Sequence, residues 1–220
     1  MFLLTSWSLR IFGLLGVLGA ILFICGDLLY NHIPGSTLSP MEKMGKMPER
    51  RLLNAGTLGL IGCWLYTTAS MHLYLAFRPV GEVFAVILLL VFGAVMICYG
   101  ISHTAYFSIA TGAQAALKAG SEAETGGRLG NALFKRLVTI TYVPVILVSG
   151  MMVYGILSGR SLYPWWMVFF LPVILYLLRA PIVRILKGLL RELVNDSYDN
   201  IVLFVFFLLS TLILWNGVVL

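Results

Sequence analysis

The chain has 220 residues, of which 60% are hydrophobic and only 11% are charged, and its formal net charge is +6. A soluble domain carries roughly a quarter charged residues, so this composition excludes a water-soluble globular protein and predicts an integral membrane protein. The basic residues are spread between apolar stretches and form no basic domain, so we expect no binding to nucleic acid.

Six apolar stretches follow one another along the chain, and each is close to the roughly 20 residues that cross a bilayer. They cover residues 7–30, 52–77, 82–107, 137–157, 163–181 and 201–220. The sequence therefore predicts an all-α fold, a single domain over residues 1–220 that forms a bundle of six transmembrane helices. The first stretch is longer than the apolar region of a signal peptide, so we expect it to be retained as a span.

Lys and Arg residues are distributed unequally over the gaps between these stretches. Twelve of the fifteen lie in the first, third and fifth gaps, whereas Arg10, Arg78 and Arg160 lie on the other side. Short loops rich in Lys and Arg stay in the cytoplasm, so both termini are predicted to be extracytoplasmic. Amphipathic aromatic rings at the predicted outer boundary agree with this orientation: Trp7, Tyr74, Tyr163, Trp165, Trp166 and Trp215.

Residues 180–195 predict a basic amphipathic helix on the inner membrane surface, just before the last span. Arg184, Lys187 and Arg191 recur there at helical spacing among Leu and Ile residues. Such a segment can anchor the topology or bind anionic lipid headgroups. Membrane lipids are therefore the expected partners, and a protein partner or a homo-oligomer is also compatible with the sequence.

Glycine and proline patterns predict how the spans pack and bend. Glycines recur three residues apart in spans one and two, which predicts that these spans cross closely: Gly13, Gly16, Gly19, Gly56, Gly59 and Gly62. Pro144 and Pro172 lie inside spans four and five, where each removes a backbone donor and is expected to kink its helix.

An ionisable group inside a span is costly, so Asp27 in span one needs a partner. It shares a helical face with Gly13 and Gly16 and should point into the bundle. Near the inner end of span three, His103 is predicted at the same membrane depth. We therefore interpret Asp27 and His103 as candidate catalytic residues of a polar site near the cytoplasmic leaflet.

Further polar residues are predicted to lie at this depth and are candidate ligand-binding residues: Asn31, His32, Arg51, Asn54, Tyr106 and Asp199. In the functional interpretation Asp27 and Asp199 act as acids, bases or metal ligands, with a histidine as partner. In the structural interpretation Asp27 pairs with Arg51 or caps the next helix, the histidines reach the interface and Asp199 is a helix N-terminal acid. The identity of any metal or cofactor does not follow from the sequence. His72 lies in the outer third of span two, where placement at the interface is expected.

Two local patterns resemble known families. The sequence NDSYDN at 195–200 looks like the start of the magnesium-binding motif of intramembrane prenyltransferases, but it lacks that family's second motif and its additional spans. The stretches GDLLYNHIPG, PERRLLNAGTLGLIGCWLY and HLYLAFRP together resemble uncharacterised six-span bacterial membrane proteins. That resemblance covers about the first half of the chain. It implies a bacterial inner-membrane location and a six-helix fold, and it brings no known substrate.

Three functions are compatible with these observations. The first is binding, with or without chemical modification, of a lipid or small hydrophobic molecule at the polar site. The second is a proton-coupled small transporter in which Asp27 titrates. The third is a non-catalytic subunit or assembly factor of a membrane complex.

Overall fold

A computed structural model describes residues 6–215, and helices account for most of this range. No β-strand occurs among these residues. The α-helices are, in chain order, α1 (Ser6–Asn31), α2 (Pro40–Gly45), α3 (Glu49–Phe77), α4 (Glu82–Lys118), α5 (Ala123–Leu157), α6 (Pro172–Leu177), α7 (Arg179–Ile185), α8 (Gly188–Asp196) and α9 (Tyr198–Ile213). Short 3-10 helices cover Arg78–Val80 and Trp165–Phe170.

Three of these helices, α1, α4 and α5, are long and apolar enough to cross a membrane. The pair α8 and α9 passes the same test only when joined, and the two helices are bent by 84° at their junction. Three to four apolar helices indicate a multi-pass membrane protein. Helix α3 is also long, with 29 residues, but its Thr, Ser and His residues make it less apolar than the other three.

The predicted fifth span, residues 163–181, is not one helix. It consists of the 3-10 helix Trp165–Phe170, the six-residue α6 and the first residues of α7. Leu171 adopts an extended conformation with ψ 143°, because a following proline disfavours the helical conformation of the residue before it. Pro172 then begins α6. Pro144, in contrast, lies within the continuous helix α5.

The single amphipathic helix predicted over 180–195 is also wrong. Two short helices, α7 and α8, replace it, because Leu186 and Lys187 are extended and Gly188 has a φ of +55°. A positive φ is accessible to glycine at little steric cost, so Gly188 permits this break. The three basic side chains of the segment, Arg184, Lys187 and Arg191, are exposed as expected.

The third gap, predicted as a loop, is a helical hairpin. Helices α4 and α5 continue beyond the predicted spans to Lys118 and from Ala123, and only a short turn separates them. Gly112 and Gly126 face each other so closely that a Cβ on either residue would overlap the backbone of the other. The two glycines therefore hold the hairpin together at a distance that no other residue type permits.

The predicted crossing of spans one and two is confirmed as contact between α1 and α3. A Cβ on Gly19 or Gly62 would lie 3.2 Å from the carbonyl oxygen of the other. Gly16 instead leaves room for the ring of Phe207 on α9, and Phe207 is completely buried. Helix α1 thus lies between α3 and α9. The predicted sixth span, 201–220, begins three residues earlier, at Tyr198, and its residues 216–220 lie outside the described part of the chain.

Candidate functional site

A cavity of about 360 Å³ lies between α1, α4, α5, α6 and the junction of α8 with α9. One face of α5 forms its apolar wall, because Phe134, Val138 and Val145 recur at helical spacing. Tyr99, His103 and Tyr106 line it in the same way from α4. The remaining polar lining comes mainly from Asp27, Asn195, Asp196, Asp199 and Asn200. A cavity of this size with both apolar and polar walls has the features of a small-molecule site.

Asp27 is held at the cavity by a residue of the last helix. Asn200 Nδ2 on α9 donates a hydrogen bond of 2.7 Å to Asp27 Oδ2, and both residues are buried. The Tyr66 hydroxyl donates to Asn200 Oδ1 at 3.3 Å. Because Asn200 Oδ1 accepts from Tyr66, the amide nitrogen faces Asp27, and Asp27 Oδ2 serves as an acceptor.

The other Asp27 oxygen faces His103. The distance from His103 Nδ1 to Asp27 Oδ1 is 3.5 Å, and that from His103 Nε2 to the Ala55 carbonyl oxygen is 3.1 Å. A carbonyl oxygen can only accept, so Nε2 carries a hydrogen, and a neutral ring then has its lone pair on Nδ1. Nδ1 lies within ion-pair distance of Asp27 Oδ1.

Arg51 does not pair with Asp27, contrary to the structural interpretation of the sequence. Its Nε donates to the Leu29 carbonyl at 2.8 Å, and its Nη2 donates to the carbonyls of Leu28 and His32 at 2.8 and 2.7 Å. The last carbonyls of a helix have no partner within the helix. Arg51 therefore caps the C-terminus of α1.

His32 connects the segment after α1 to α8. His32 Nδ1 lies 3.1 Å from Asp196 Oδ2, and both side chains are largely buried. Three residues further on, the Gly35 amide donates to Glu192 Oε2 at 3.2 Å. These contacts fix α8, which contributes Asn195 and Asp196 to the cavity wall.

Asp199 and Arg179 form a loose ion pair at the cavity wall. Arg179 Nη1 lies 3.7 Å from Asp199 Oδ1, and each side chain is about half exposed. Arg179 Nη2 also donates to the Asn195 carbonyl at 3.0 Å, and its guanidinium lies 5.5 Å from the centre of the Tyr198 ring. Arg179 was not predicted as a site residue. It comes into position only because the broken segment 163–181 brings the start of α7 to the cavity.

The predicted site residues divide into two groups. Asp27, His103, Tyr106 and Asp199 line the cavity; Asn31, His32, Arg51 and Asn54 do not. Asn54 is exposed, and Asn31 is half-buried. Asn200, which orients Asp27, was missing from the predicted site although its position at the start of span six placed it at the same depth.

His72 is completely buried, so its expected placement at the interface is wrong. Its Nδ1 lies 2.9 Å from the Leu9 carbonyl oxygen and donates to it, which leaves Nε2 of a neutral ring to accept from the Ser210 hydroxyl. The Tyr163 hydroxyl lies 2.6 Å from Ser210 Oγ. These contacts join α1, α3, α9 and the segment after α5 at a second polar cluster, apart from the cavity.

The NDSYDN sequence does not form a cluster of carboxylates. Asp196 ends α8 and Asp199 lies in the first turn of α9, on either side of the 84° bend, and they pair with His32 and Arg179. Within residues 6–215, no group of three or more His, Cys, Asp or Glu side chains is arranged to hold a metal ion.

The apolar helices and the polar cavity between them indicate a multi-pass helical membrane protein with an internal site. A family model described as a family of unknown function, DUF6796, matches residues 5–216, and the chain belongs to this family. No curated protein and no solved structure matches the chain.

Proposed function

We propose that this protein binds a lipid or another small hydrophobic molecule in the cavity between α1, α4, α5 and α9. The observation that carries the proposal is a 360 Å³ space with carboxylate, amide and hydroxyl groups on one side and Phe134, Val138 and Val145 on the other. A molecule with a polar head and an apolar tail complements both walls.

The membrane arrangement that accompanies this proposal has six crossings, in the inner (plasma) membrane of a bacterium, with both termini outside. Helix α3 would be the second crossing, and its polar residues Ser70 and His72 are buried within the bundle and do not face lipid. The broken segment of residues 163–181 would be the fifth. Irregular backbone is tolerated at membrane depth where protein covers it, and Met167 and Leu171 are buried.

In this arrangement the cavity lies at the cytoplasmic leaflet, next to the basic helices α7 and α8. In these helices and the break between them, exposed Arg184, Lys187 and Arg191 would contact anionic headgroups, while exposed Ile185, Leu189 and Leu190 would enter the interface. A lipid of the inner leaflet could then reach the cavity without crossing the bilayer.

Binding is favoured over catalysis by the position of His103. Both of its ring nitrogens contact protein groups, Asp27 and the Ala55 carbonyl, so neither is directed at a substrate. A general base must lie within hydrogen-bond reach of the proton that it abstracts. This arrangement therefore favours binding of a molecule over acid–base catalysis by His103.

A proton-coupled transporter is the second candidate, because Asp27 and His103, two side chains that can each carry a proton, face each other at 3.5 Å on the cavity wall. The space beyond this pair is filled by Tyr66, Phe206 and Phe207, which are completely buried. Transport would require these rings to move. A substrate flux in liposomes that follows a pH gradient would favour transport over simple binding.

The test of binding is the identification of lipid that remains with the purified protein. Val138→Trp fills the cavity, whereas Val143→Trp adds the same volume on the same helix at a residue that is 71% exposed. Lipid released by denaturation and identified by mass spectrometry should be retained by the wild type and by Val143→Trp, and lost from Val138→Trp. Equal retention in all three proteins would contradict the proposal.

A further inference from the structure

The cavity concentrates acidic groups in a chain that is basic overall. All three aspartates of the sequence, Asp27, Asp196 and Asp199, line it, whereas Arg179 alone of the fifteen Lys and Arg residues does. Among the lining residues, the three carboxylates outnumber Arg179 and His103 together; His32, which contacts Asp196 at 3.1 Å, lies outside the lining. The electrostatic potential of the cavity therefore favours a positively charged group.

The hydrogen-bonding groups of the cavity lead to the same conclusion independently of charge. Three lining residues each use one N–H donor within the protein, because Asn200 donates to Asp27, His103 to Ala55 and Arg179 to Asn195. The hydroxyls of Ser102, Tyr106 and Tyr142 and the amide of Asn195 can donate or accept. The three carboxylates also have protein partners, but each carboxylate has about four lone-pair sites and accepts only, so they retain acceptor capacity for a donor on the ligand.

Aromatic rings provide a third feature that suits a cation. Seven of the lining side chains are aromatic: Phe23, Tyr99, Tyr106, Phe134, Tyr142, Tyr176 and Tyr198. The face of an aromatic ring attracts a cation within about 6 Å of its centre. The guanidinium of Arg179 makes such a contact with Tyr198 at 5.5 Å, so one ring of this wall already holds a positive charge.

An anionic headgroup fits the same wall poorly. The cation that it would use, Arg179, already faces Asp199 and the Asn195 carbonyl. The positive end of the α9 dipole, which also attracts anions, is met by Asp199 in the first turn of that helix.

We propose that the ligand of the cavity is an amphiphile with a positively charged amine or ammonium group. This inference rests on the proposed function. The charged group faces Asp27 and Asp199, and the alkyl chain lies along Phe134 and Val138 on α5.

The experiment compares three probes that share a dodecyl chain: dodecyltrimethylammonium, dodecyl phosphate and dodecanol. Each is titrated into the full-length protein in a nonionic detergent, and binding is followed by isothermal titration calorimetry. Dodecyltrimethylammonium should bind at least about tenfold more tightly than either of the other two, which corresponds to one decade of Kd. Val138→Trp should abolish this binding.

Three substitutions distinguish the effect of the cavity carboxylates on binding from the effect of the net charge of the protein. Asp27→Asn and Asp199→Asn should each raise the Kd for dodecyltrimethylammonium by about threefold to tenfold. Glu122→Gln removes the same charge at an exposed residue outside the cavity and should leave Kd unchanged. Asp199 is half exposed, so its variant is expected to fold even if Asp27→Asn does not.

The outcomes distinguish this inference from the proposed function. If dodecyl phosphate or dodecanol binds more tightly than dodecyltrimethylammonium and Val138→Trp removes that binding, the cavity binds an amphiphile. The inference that the ligand carries a positive charge is then wrong. If dodecyltrimethylammonium binds most tightly but both Asp variants bind it with the Kd of the wild type, the inference that Asp27 and Asp199 recognise a positively charged group is also wrong. If no probe responds to Val138→Trp, the proposed function itself is wrong.

Discussion

His103 and Asp27 face each other in the interior of the bundle, with His103 Nδ1 3.5 Å from Asp27 Oδ1 and the remaining ring nitrogen bound to the Ala55 carbonyl. This contact joins α1 to α4, and Asn200 extends it to α9. Three helices that are distant in the sequence thus meet at the contact between Asp27 and His103. The pair is therefore expected to stabilise the bundle in addition to lining the cavity.

The stability of the fold should depend on both members of this pair together. Asp27→Leu leaves His103 and the Asn200 amide without their partner, and an unsatisfied buried polar group costs about 1–3 kcal/mol. The double variant Asp27→Leu/His103→Leu should lose less than the sum of the single variants. Thermal unfolding of the four proteins measures this coupling. Additive losses would mean that the two side chains do not interact.

Arg51 should contribute to stability but not to ligand binding. Arg51→Gln removes charged hydrogen bonds to the last carbonyls of α1 and should reduce the free energy of unfolding by about 1–3 kcal/mol. Arg50→Gln, an exposed neighbour with the same loss of charge, is the control and should change little. Retention of lipid should be normal in both variants. Loss of lipid from Arg51→Gln alone would place Arg51 in the site.

Gly59 should be required for the position of His103. A Cβ on Gly59 would overlap the imidazole ring, whereas a Cβ on Gly150 would meet nothing within 4 Å. Gly59→Ala should therefore destabilise the protein by about 1–3 kcal/mol, the usual cost of overpacking, and should weaken retention of lipid. Gly150→Ala should do neither. Normal lipid retention in a Gly59→Ala protein of reduced stability would argue that His103 is not needed for binding.

The orientation of the protein can be tested with single cysteines in a variant whose native Cys25, Cys63 and Cys98 have been replaced. The two cysteines are introduced one at a time, as Ser121→Cys in the turn between α4 and α5 and as Arg160→Cys after α5. Under the positive-inside rule, an impermeant thiol reagent added outside should label residue 160 and not residue 121. Labelling of both residues from the same side would contradict the proposed topology.

The convergence of Asp27 and His103 could be predicted from two properties of the sequence, the face of a span that points inward and the depth of its polar residues. The glycine stripe gave the face of span one that points inward, and the direction of each span gave the depth of its polar residues. Depth alone failed for Asn54, because it does not give the rotation of a helix. Arg51 and Ala55 are four residues apart and share a face of α3, whereas Asn54 is rotated by about 100° from Ala55 and is exposed.

The remaining parts of the site depend on breaks that periodicity does not reveal. Hydropathy identified residues 163–181 as one apolar span, but the backbone before Pro172 is extended and the chain changes direction again at Leu186 and at Ser197. Arg179 and Asp196 reach the cavity only through these breaks. For the same reason, the contacts of Arg179 with Asp199 and of Asp196 with His32 could not be predicted from the sequence.

If one hydrophobic molecule occupies the cavity, native mass spectrometry of the detergent-purified protein should detect it as a bound mass. The wild type and Val143→Trp are expected to show one bound lipid per chain that persists when surface lipid has been removed by delipidation. The Val138→Trp protein, of the same mass as this control, should show none. A bound lipid in Val138→Trp at the level of the wild type, or no persistent lipid in any of the three proteins, would contradict the account.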